Sequence, residues 1–311
     1  MSEQINLWTE RYRPKTLEDI VLSKEDREFF ESLARKQEIP HLLFAGNCGL
    51  GKSSLSLIIV KDILKLSTYL YINASDEGNI ETMRTKIANF SKTKSIDGKI
   101  KVVILDEACG MTDSSQRMLR GLQEECAENT RFILTCNYLN RIIPAIQSRC
   151  QIITLDPPLE ETVKRIAKIL QKENITISED QKPLLLDHIR KHLPDIRRIV
   201  NDIQKFSING TLNIRSDSSS GFALNIFKQL QKKKNLIDLR KEIIENERAF
   251  SNDYRSLLKE LFEVVFESNL PYEKKTECLL IIAKGMEADS FIIDKEIGAF
   301  GVLINLARSI S

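Results

Sequence analysis

Gly46-Asn-Cys-Gly-Leu-Gly-Lys-Ser53 is the stretch of sequence that decides the fold. It matches the phosphate-binding pattern G-x-x-x-x-G-K-[ST] and lies between an apolar run at residues 41–45 and a helical run at residues 54–60. Glycines in such a loop let backbone N–H groups point at the β- and γ-phosphates of a nucleotide beside a helix N-terminus. We predict that Lys52 contacts the terminal phosphates and that Ser53 binds Mg²⁺. The nucleotide-contacting residues predicted here are Gly46, Asn47, Cys48, Gly49, Leu50, Gly51, Lys52, Ser53 and Ser54.

Composition bounds the class of protein. A chain of 311 residues predicts about two or three domains. A hydrophobic content of 42% and a charged content of 29% indicate a globular protein. No run is long and apolar enough to span a bilayer and no secretory signal is visible, so a cytoplasmic location is expected. With 46 basic and 44 acidic residues, a uniformly basic nucleic-acid binder is not indicated, although a local basic face remains possible.

Strand-like and helical runs alternate through the first half of the chain. Several of the strand candidates are almost continuously apolar, as in a parallel sheet that is covered on both faces. The five candidates are residues 41–45, 69–73, 101–105, 131–135 and 151–154. The pattern changes at Asp156-Pro-Pro158, after which residues 159–208 and 222–311 are predicted to be helical. The prediction is an α/β module at residues 1–155, followed by helical domains at residues 156–212 and 222–311.

Polar residues that follow the later strands predict a hydrolytic site. Asp106 and Glu107 end an apolar strand, where the first acid can hold Mg²⁺ and the second can polarise the attacking water. Asn137 follows the next strand and can orient that water. Arg149, within Ser148-Arg-Cys150, precedes the last strand, a position that suggests a charge supplied in trans to a neighbouring subunit's transition state. Each motif alone has an ordinary alternative. Asp106-Glu107 could be acids that end a strand by chance, Asn137 could be a turn residue and Arg149 could be a surface charge.

Taken together, these motifs resemble the AAA+ ATPases of the sliding-clamp-loader family. The opening segment, residues 8–21, resembles the family's adenine-wrapping segment, which implies nucleotide contacts by Tyr12, Arg13 and Val21. Pro194-Asp-Ile-Arg-Arg198 resembles the lid motif whose arginine contacts the γ-phosphate, a role that falls on Arg197. The resemblance implies a parallel five-stranded AAA+ module, an all-α lid at residues 156–212 and an all-α collar at residues 222–311.

Two branches of the family compete. Residues 95–107 are most similar to the large, ATPase subunit of T-even-type bacteriophage loaders, with replication factor C small subunits as the second choice. Cellular members usually carry Asp-Glu-Ala-Asp, whereas Ala108 is here followed by Cys109. The phosphate loop has Asn47-Cys48 where Pro-Pro or a similar pair is common. Neither departure changes a side chain assigned to the metal or the phosphates.

The resemblance also implies cofactors and partners. These are ATP with Mg²⁺, roughly four copies of the chain in a spiral with one smaller subunit, a sliding clamp, primer–template DNA and, indirectly, a polymerase, with no membrane. If the chain is phage-encoded, it would act in the host cytoplasm. Candidate DNA-phosphate contacts are Arg84, Lys86, Arg117 and Arg120, and Gln116 would couple DNA binding to the catalytic acid. Candidate clamp contacts are Ile87, Phe90 and Ile96, for which burial in the core is the alternative.

Other classes of function remain open at this point. A branch-migration helicase or an initiator ATPase would share the AAA+ module but would move along DNA strands or load a helicase. A phosphate-loop kinase would transfer phosphate to a metabolite and would not need the helical C-terminal third. A non-catalytic scaffold subunit of a loader would be expected to lack Lys52 or Glu107, and both residues are present.

Overall fold

A computed structural model describes residues 7–76, 80–93, 98–214, 218–232, 235–250, 252–289 and 292–310. The chain divides into two compact units, Met1–Ile214 and Arg215–Ser311. Among the described residues, no helix is long and apolar enough to cross a membrane.

The first unit alternates helices and strands up to residue 154 and then becomes mainly helical. The elements of its α/β part are α1 (Trp8–Arg11), α2 (Lys24–Lys36), β1 (Leu42–Ala45), α3 (Lys52–Ile58, continued by a π-helical turn at Ile59–Ile63), β2 (Leu70–Asn73), α4 (Ile80–Lys92), β3 (Lys101–Asp106), α5 (Asp113–Glu125), β4 (Thr130–Cys136), α6 (Pro144–Gln147) and β5 (Gln151–Thr154). Each predicted strand is present, with ends that differ by no more than one residue.

The five strands form one parallel sheet in the order β2-β3-β4-β1-β5. Alternate residues of each strand face opposite layers, because side chains of a strand alternate in direction. In β3, Val102 and Ile104 join a core with the helices α2 and α3, whereas Val103 and Leu105 join a core with α4 and α5. All six residues of β3 are therefore buried, which confirms the predicted sheet covered on both faces.

The remainder of the first unit packs three helices around its own core. They are α7 (Leu159–Lys172), α8 (Gln181–His192) and α9 (Ile196–Phe206). Ile166, Ile199 and Ile203 form this core together with Trp8 from the N-terminal segment.

A short antiparallel hairpin, β6 (Ser207–Ile208) and β7 (Thr211–Leu212), follows α9. The sequence analysis predicted helix up to residue 208 and no strands in this domain. The reason for the hairpin is local: Asn209 and Gly210 both adopt positive φ, as a tight two-residue hairpin turn requires. The domain assigned as an all-α lid is thus helical with one added hairpin.

The second unit is all-helical in its described part, as predicted. Its helices are α10 (Ser218–Gln231), α11 (Leu236–Glu245), α12 (Tyr254–Glu267), α13 (Tyr272–Ala288) and α14 (Lys295–Ile310). Leu257, Leu261, Ile282 and Leu303 lie at the centre of their common core.

Candidate nucleotide site

The phosphate loop joins the carboxyl end of β1 to the N-terminus of α3. Gly51 precedes α3 with a φ of 85°, and Gly49 has a φ of 77°, conformations that glycine adopts without strain. Gly49 is also enclosed, since a Cβ atom there would lie 1.8 Å from the Asp195 Oδ1 atom. Asp195 caps α9 by accepting the Arg198 N–H at 2.9 Å. The loop is therefore shaped both by its glycines and by the start of α9.

Lys52 is the first residue of α3 and follows the last glycine of the phosphate loop. Its side chain is 7% exposed, and burial lowers the pKa of its ammonium group. Nζ donates to the carbonyl oxygens of Gly46 (2.8 Å) and Asn47 (2.6 Å) and to the Asn137 Oδ1 atom (2.8 Å). The structure thus brings together Lys52 and Asn137, which are 85 residues apart in sequence.

Asp106 is the centre of a second set of contacts. It is 8% exposed and accepts the Ser53 hydroxyl through Oδ1 at 2.9 Å. Thr135 from β4 donates to the same oxygen, and Tyr71 from β2 donates to Oδ2. Burial, together with the hydrogen bond to Asp106, raises the pKa of the Tyr71 hydroxyl. A carboxylate and a hydroxyl within hydrogen-bonding distance are hard oxygen donors, so Ser53 and Asp106 fit the requirements of Mg²⁺.

Glu107 is exposed and has a left-handed backbone, with a φ of 56°. Its N–H donates to the Thr135 hydroxyl at 3.0 Å, and its Oε2 accepts the Ser75 hydroxyl at 2.9 Å. Thr135 therefore contacts both acids at the end of β3. The sequence analysis missed Tyr71, Ser75 and Thr135. Ser75 lies just beyond the carboxyl end of β2 and Thr135 lies near that of β4, the strands on either side of β3, and this position is their signal in the sequence. Tyr71 is the second residue of β2 and has no such signal.

A cleft adjoins the phosphate loop and is lined by the residues expected at the adenine. Tyr12, Arg13 and Val21 line it, as do Gly49–Gly51, Ser54 and Arg197. Apolar residues that had not been expected from the sequence also line the cleft, namely Ile20, Ile169, Ile196 and Val200. Arg197 also lines an adjoining cavity, together with Lys52, Asp106, Glu107 and Asn137. The two cavities form a continuous candidate site for a nucleoside and its phosphates.

The N-terminal segment closes one side of this cleft and is tied to the lid helices. The Tyr12 hydroxyl donates to the Glu173 Oε1 atom at 2.5 Å, and burial raises its pKa. Arg165 donates to the Tyr12 carbonyl at 2.8 Å and to the Asp19 carboxylate at 3.0 Å. The Trp8 N–H donates to the Gln204 side chain at 2.9 Å. The N-terminal segment therefore contacts both the cleft and the helices α7 and α9.

Arg149 lies at the other edge of the sheet. It precedes β5, whose first residue, Gln151, pairs with Leu42 at the start of β1. The phosphate loop begins after the last residue of β1. The length of that strand, about 10 Å of extended chain, therefore separates Arg149 from the phosphate loop. Arg149 donates to the Ala145 carbonyl at 2.8 Å and forms an ion pair with Glu124. The structure therefore does not bring it to the phosphate loop of its own chain.

Gln116 is 1% exposed and bonds to the segment that follows β4. Its amide donates to the Arg141 carbonyl at 2.9 Å and its Oε1 accepts the Ile143 N–H at 2.8 Å. It also contacts the Met111 carbonyl at 3.3 Å, just before α5. Gln116 thus connects the region after β3 with the region after β4.

The basic residues expected at DNA lie on two helices that pack against each other. Arg84 and Lys86 are exposed on α4, and Arg117 and Arg120 are exposed on α5. Arg84 lies in the second turn of α4, which begins at Ile80.

The predicted clamp contact of Ile87 is wrong. Ile87 is 0% exposed and packs in the core beneath the sheet, because it shares the inward face of α4 with Met83, one turn earlier. Phe90 is half-buried against the same core, under the Lys101 ammonium group. Ile96 lies outside the described residues.

The sheet order, the phosphate loop and the acids at the end of β3 define the chain's first unit as an AAA+ nucleotide-binding module. The solved structures agree with this fold. The Thermotoga maritima RuvB Holliday junction branch migration motor aligns with a TM-score of 0.51 at 18% identity, over 70% of this chain and 79% of that one. A variant of the same motor aligns with a TM-score of 0.52 at 17% identity, over 94% and 90%.

Sequence relatives identify the family. A Sulfolobus acidocaldarius replication factor C small subunit is 37% identical over 221 residues, or 70% of this chain and 67% of that protein. A Methanococcus vannielii replication factor C small subunit is 36% identical over 202 residues, 63% of each chain. Mouse replication factor C subunit 5 is 39% identical over 203 residues, 63% of this chain and 59% of that one. The family model described as DNA polymerase III, delta subunit, matches residues 66–159. The chain belongs to the sliding-clamp-loader family of AAA+ ATPases.

The alignments cover about two thirds or less of each of these relatives, between 59% and 67% of their length. The similarity therefore supports family membership, and the assignment of activity and partners depends on the site itself.

Proposed function

We propose that this chain is the ATP-hydrolysing subunit of a clamp loader, which uses ATP to open a ring-shaped sliding clamp and place it on primer–template DNA. The main support for the proposal is that the residues needed for hydrolysis lie at two opposite edges of the sheet. Lys52, Asp106, Glu107 and Asn137 line one cavity at the carboxyl edge of the sheet, while Arg149 is at the amino edge. Such a site is completed only when a neighbouring copy supplies its arginine.

ATP would occupy the continuous cleft, with its base near Tyr12 and Val21 and its phosphates on the loop. Lys52 Nζ would exchange its bonds to the loop carbonyls for bonds to phosphate oxygens, a contact strengthened by burial. Mg²⁺, held by Ser53 and Asp106, would neutralise charge on the phosphates. Arg197 lines both cavities and would sense the γ-phosphate from the lid.

Glu107 would act as the general base, but its carboxylate is held by Ser75. We infer that DNA binding releases this bond and turns Glu107 toward the attacking water, which Asn137 orients. Gln116 supports this coupling, because it connects the segments after β3 and β4, on which Glu107 and Asn137 are placed. A Gln116→Ala enzyme should bind ATP normally and lose much of its stimulation by DNA.

The assembly we propose contains identical copies, because one chain carries both the phosphate loop and the arginine for a neighbour. Roughly four copies with one smaller subunit, as in T-even-type bacteriophage loaders, would give a ring of this kind. The alternative is a small subunit of the replication factor C type, in which further copies differ from this chain. The native mass of the complex purified with its genomic neighbours distinguishes the two assemblies.

Primer–template DNA would be held through its phosphates by Arg84, Lys86, Arg117 and Arg120, all of which are exposed on α4 and α5. Each phosphate contact releases counterions, so the logarithm of the affinity should fall with the logarithm of salt concentration by about 0.9 per contact. Residues 156–212 would serve as the lid and residues 222–311 as the oligomerisation collar. Among the residues first considered for the clamp contact, Phe90 remains a candidate.

The deciding experiment is ATP turnover by the complete loader, measured with and without clamp and primer–template DNA. Joint stimulation by both supports the proposal. Turnover that depends on a metabolite, or ATP-driven strand movement without any effect of the clamp, would assign the chain to a kinase or to a helicase instead.

A further inference from the structure

Two of the chain's three histidines meet an aspartate between α8 and α9 of the helical lid. His188 and His192 are one helical turn apart on α8, so both rings project from the same face. Asp202 reaches them from α9. The candidate ligand atoms of the three side chains all lie within 4.8 Å of one another. None of the three lines the nucleotide cleft or the phosphate cavity.

A second observation concerns His188. Its side chain is 6% exposed, and its Nε2 atom is buried without a hydrogen-bond partner. The Asp202 Oδ2 atom lies 3.4 Å away, outside acceptable hydrogen-bond geometry. A buried polar atom without a partner is uncommon, because its desolvation is not compensated. The unpartnered Nε2 atom is directed into the same cluster.

One ring nitrogen of His192 contacts the backbone of its own helix. Its Nδ1 atom lies 2.9 Å from the His188 carbonyl oxygen. If Nδ1 carries the proton and donates to this carbonyl, Nε2 has a free lone pair, an arrangement common among metal-binding histidines.

The distances suit a small tetrahedral site. Zinc bonds of about 2.0–2.1 Å to nitrogen and oxygen place neighbouring ligand atoms about 3.3 Å apart. The His188–Asp202 separation of 3.4 Å already meets this requirement. His192 is only half-buried, so its ring can close the remaining gap and leave room for a water ligand.

We propose that His188, His192 and Asp202 form a binding site for one divalent transition-metal ion of the zinc class. Two imidazoles, a carboxylate and a water make a four-coordinate donor set that this class of ion prefers. The Arg198 guanidinium, 3.7 Å from Asp202, competes for the carboxylate, but its side chain is 63% exposed and can turn into solvent. The bound ion joins α8 to α9, the helix whose first turn carries Arg197, and so stabilises the lid.

The test uses the full chain without a polyhistidine tag, after treatment with a chelator and removal of the chelator. Titration with Zn²⁺ by calorimetry should show one tight site per chain, and Co²⁺ should give the intense visible bands of tetrahedral coordination. Addition of Zn²⁺ should also raise the melting temperature, since a ligand that binds the folded state stabilises it.

The variants are His192→Ala and Asp202→Asn, with His41→Gln as the matched control because His41 is the third histidine and lies outside the cluster. Each ligand variant should weaken zinc binding by more than about 100-fold, since the loss of an outer-shell partner alone costs about 10–100-fold. The control should bind like the unmodified chain. Circular dichroism confirms folding, and Asp202→Asn keeps the volume of the side chain if His192→Ala is unstable.

Absence of a tight site in the unmodified chain would overturn the proposal, as would ligand variants that bind zinc as tightly as the unmodified chain. The outcome is independent of the proposed ATPase function, since the metal titration requires neither nucleotide nor DNA.

Discussion

The two edges of the five-stranded sheet differ in how their polar side chains are satisfied. At the carboxyl edge, Lys52 and Asp106 are buried and bonded to residues from neighbouring strands and the loop. At the amino edge, Arg149 is exposed and its partners, Glu124 and the Ala145 carbonyl, lie close to it on the surface. The first edge is an internal site with a fixed arrangement. The second presents a cation that a neighbouring molecule can engage by displacing a surface ion pair of small net stability.

The largest expected effect comes from removing the cation at the amino edge. Arg149→Ala should lower DNA- and clamp-stimulated turnover by about 10³–10⁵-fold, because it removes charge stabilisation from the neighbour's transition state. ATP binding, measured by equilibrium titration, should be unchanged. Arg35→Ala, at an exposed arginine in the last turn of α2, is the control and should behave like the unmodified chain.

A mixture of two inactive variants tests directly whether Arg149 acts on a neighbouring chain. Loaders assembled from Arg149→Ala and Glu107→Gln chains should regain some turnover, because an intact carboxyl edge can then meet an intact Arg149 from its neighbour. A mixture that stays as inactive as either variant would contradict the supply of Arg149 in trans.

At the carboxyl edge, Glu107→Gln should lower turnover by about 10²–10⁴-fold, the usual contribution of a general base. The amide keeps the shape of the side chain but cannot accept the proton from water. ATP affinity should be retained, since Glu107 does not contact the loop or Lys52. Single-turnover hydrolysis in the assembled loader measures the effect, and full activity would remove Glu107 from its assigned role.

Ser75→Ala should raise turnover, and by less than Glu107→Gln lowers it. Without the Ser75 hydroxyl, Glu107 loses the bond that holds it at 2.9 Å, so turnover without DNA should rise by about threefold to tenfold, the value of one net hydrogen bond. Turnover with DNA should change little. Unchanged basal turnover would show that the bond does not restrain the glutamate.

The last prediction concerns acid stability at the amino edge and not turnover. Burial, with a contribution from Arg131, lowers the pKa of His41 to about 4, and His41 Nδ1 accepts the Phe132 N–H at 3.0 Å. The unfolded chain binds the proton near its ordinary pKa of about 6.5, so the stability of the first unit is full above that pH and falls as the pH drops from 6.5 toward 4. Urea midpoints followed across this range measure it.

His41→Gln keeps a hydrogen-bond acceptor but does not titrate, so its midpoint should depend less on pH than that of the unmodified chain. Equal pH dependence in both proteins would assign the acid sensitivity to other groups.

The parts of the site that were predictable from sequence are those encoded in short consecutive stretches. The phosphate loop and Asp106-Glu107 each carry a pattern whose structure is local, and the loop's strand and helix flank it directly. Asn137 could be placed because the carboxyl ends of parallel strands meet at one edge.

The contacts that could not be predicted from the sequence are those between residues that are distant along the chain. Tyr71 and Thr135 reach Asp106 because β2 and β4 flank β3, an order that no local pattern specifies. Ile87 was wrongly assigned to the surface because an apolar helical face looks the same in sequence whether it meets the core or a partner. His188 and His192 have a recognisable spacing, but Asp202 joins them only through the packing of α8 on α9.

Trp8 gives the molecule an optical reporter. It is the only tryptophan in the sequence, it is buried among the lid helices, and it contacts Tyr12 edge-to-face with ring centres 6.2 Å apart. Because it also lines the cleft beside the phosphate loop, its emission spectrum should respond when a nucleotide enters. Stopped-flow fluorescence of the unlabelled chain can therefore time ATP binding separately from phosphate release, without a dye on any surface that the assembly uses.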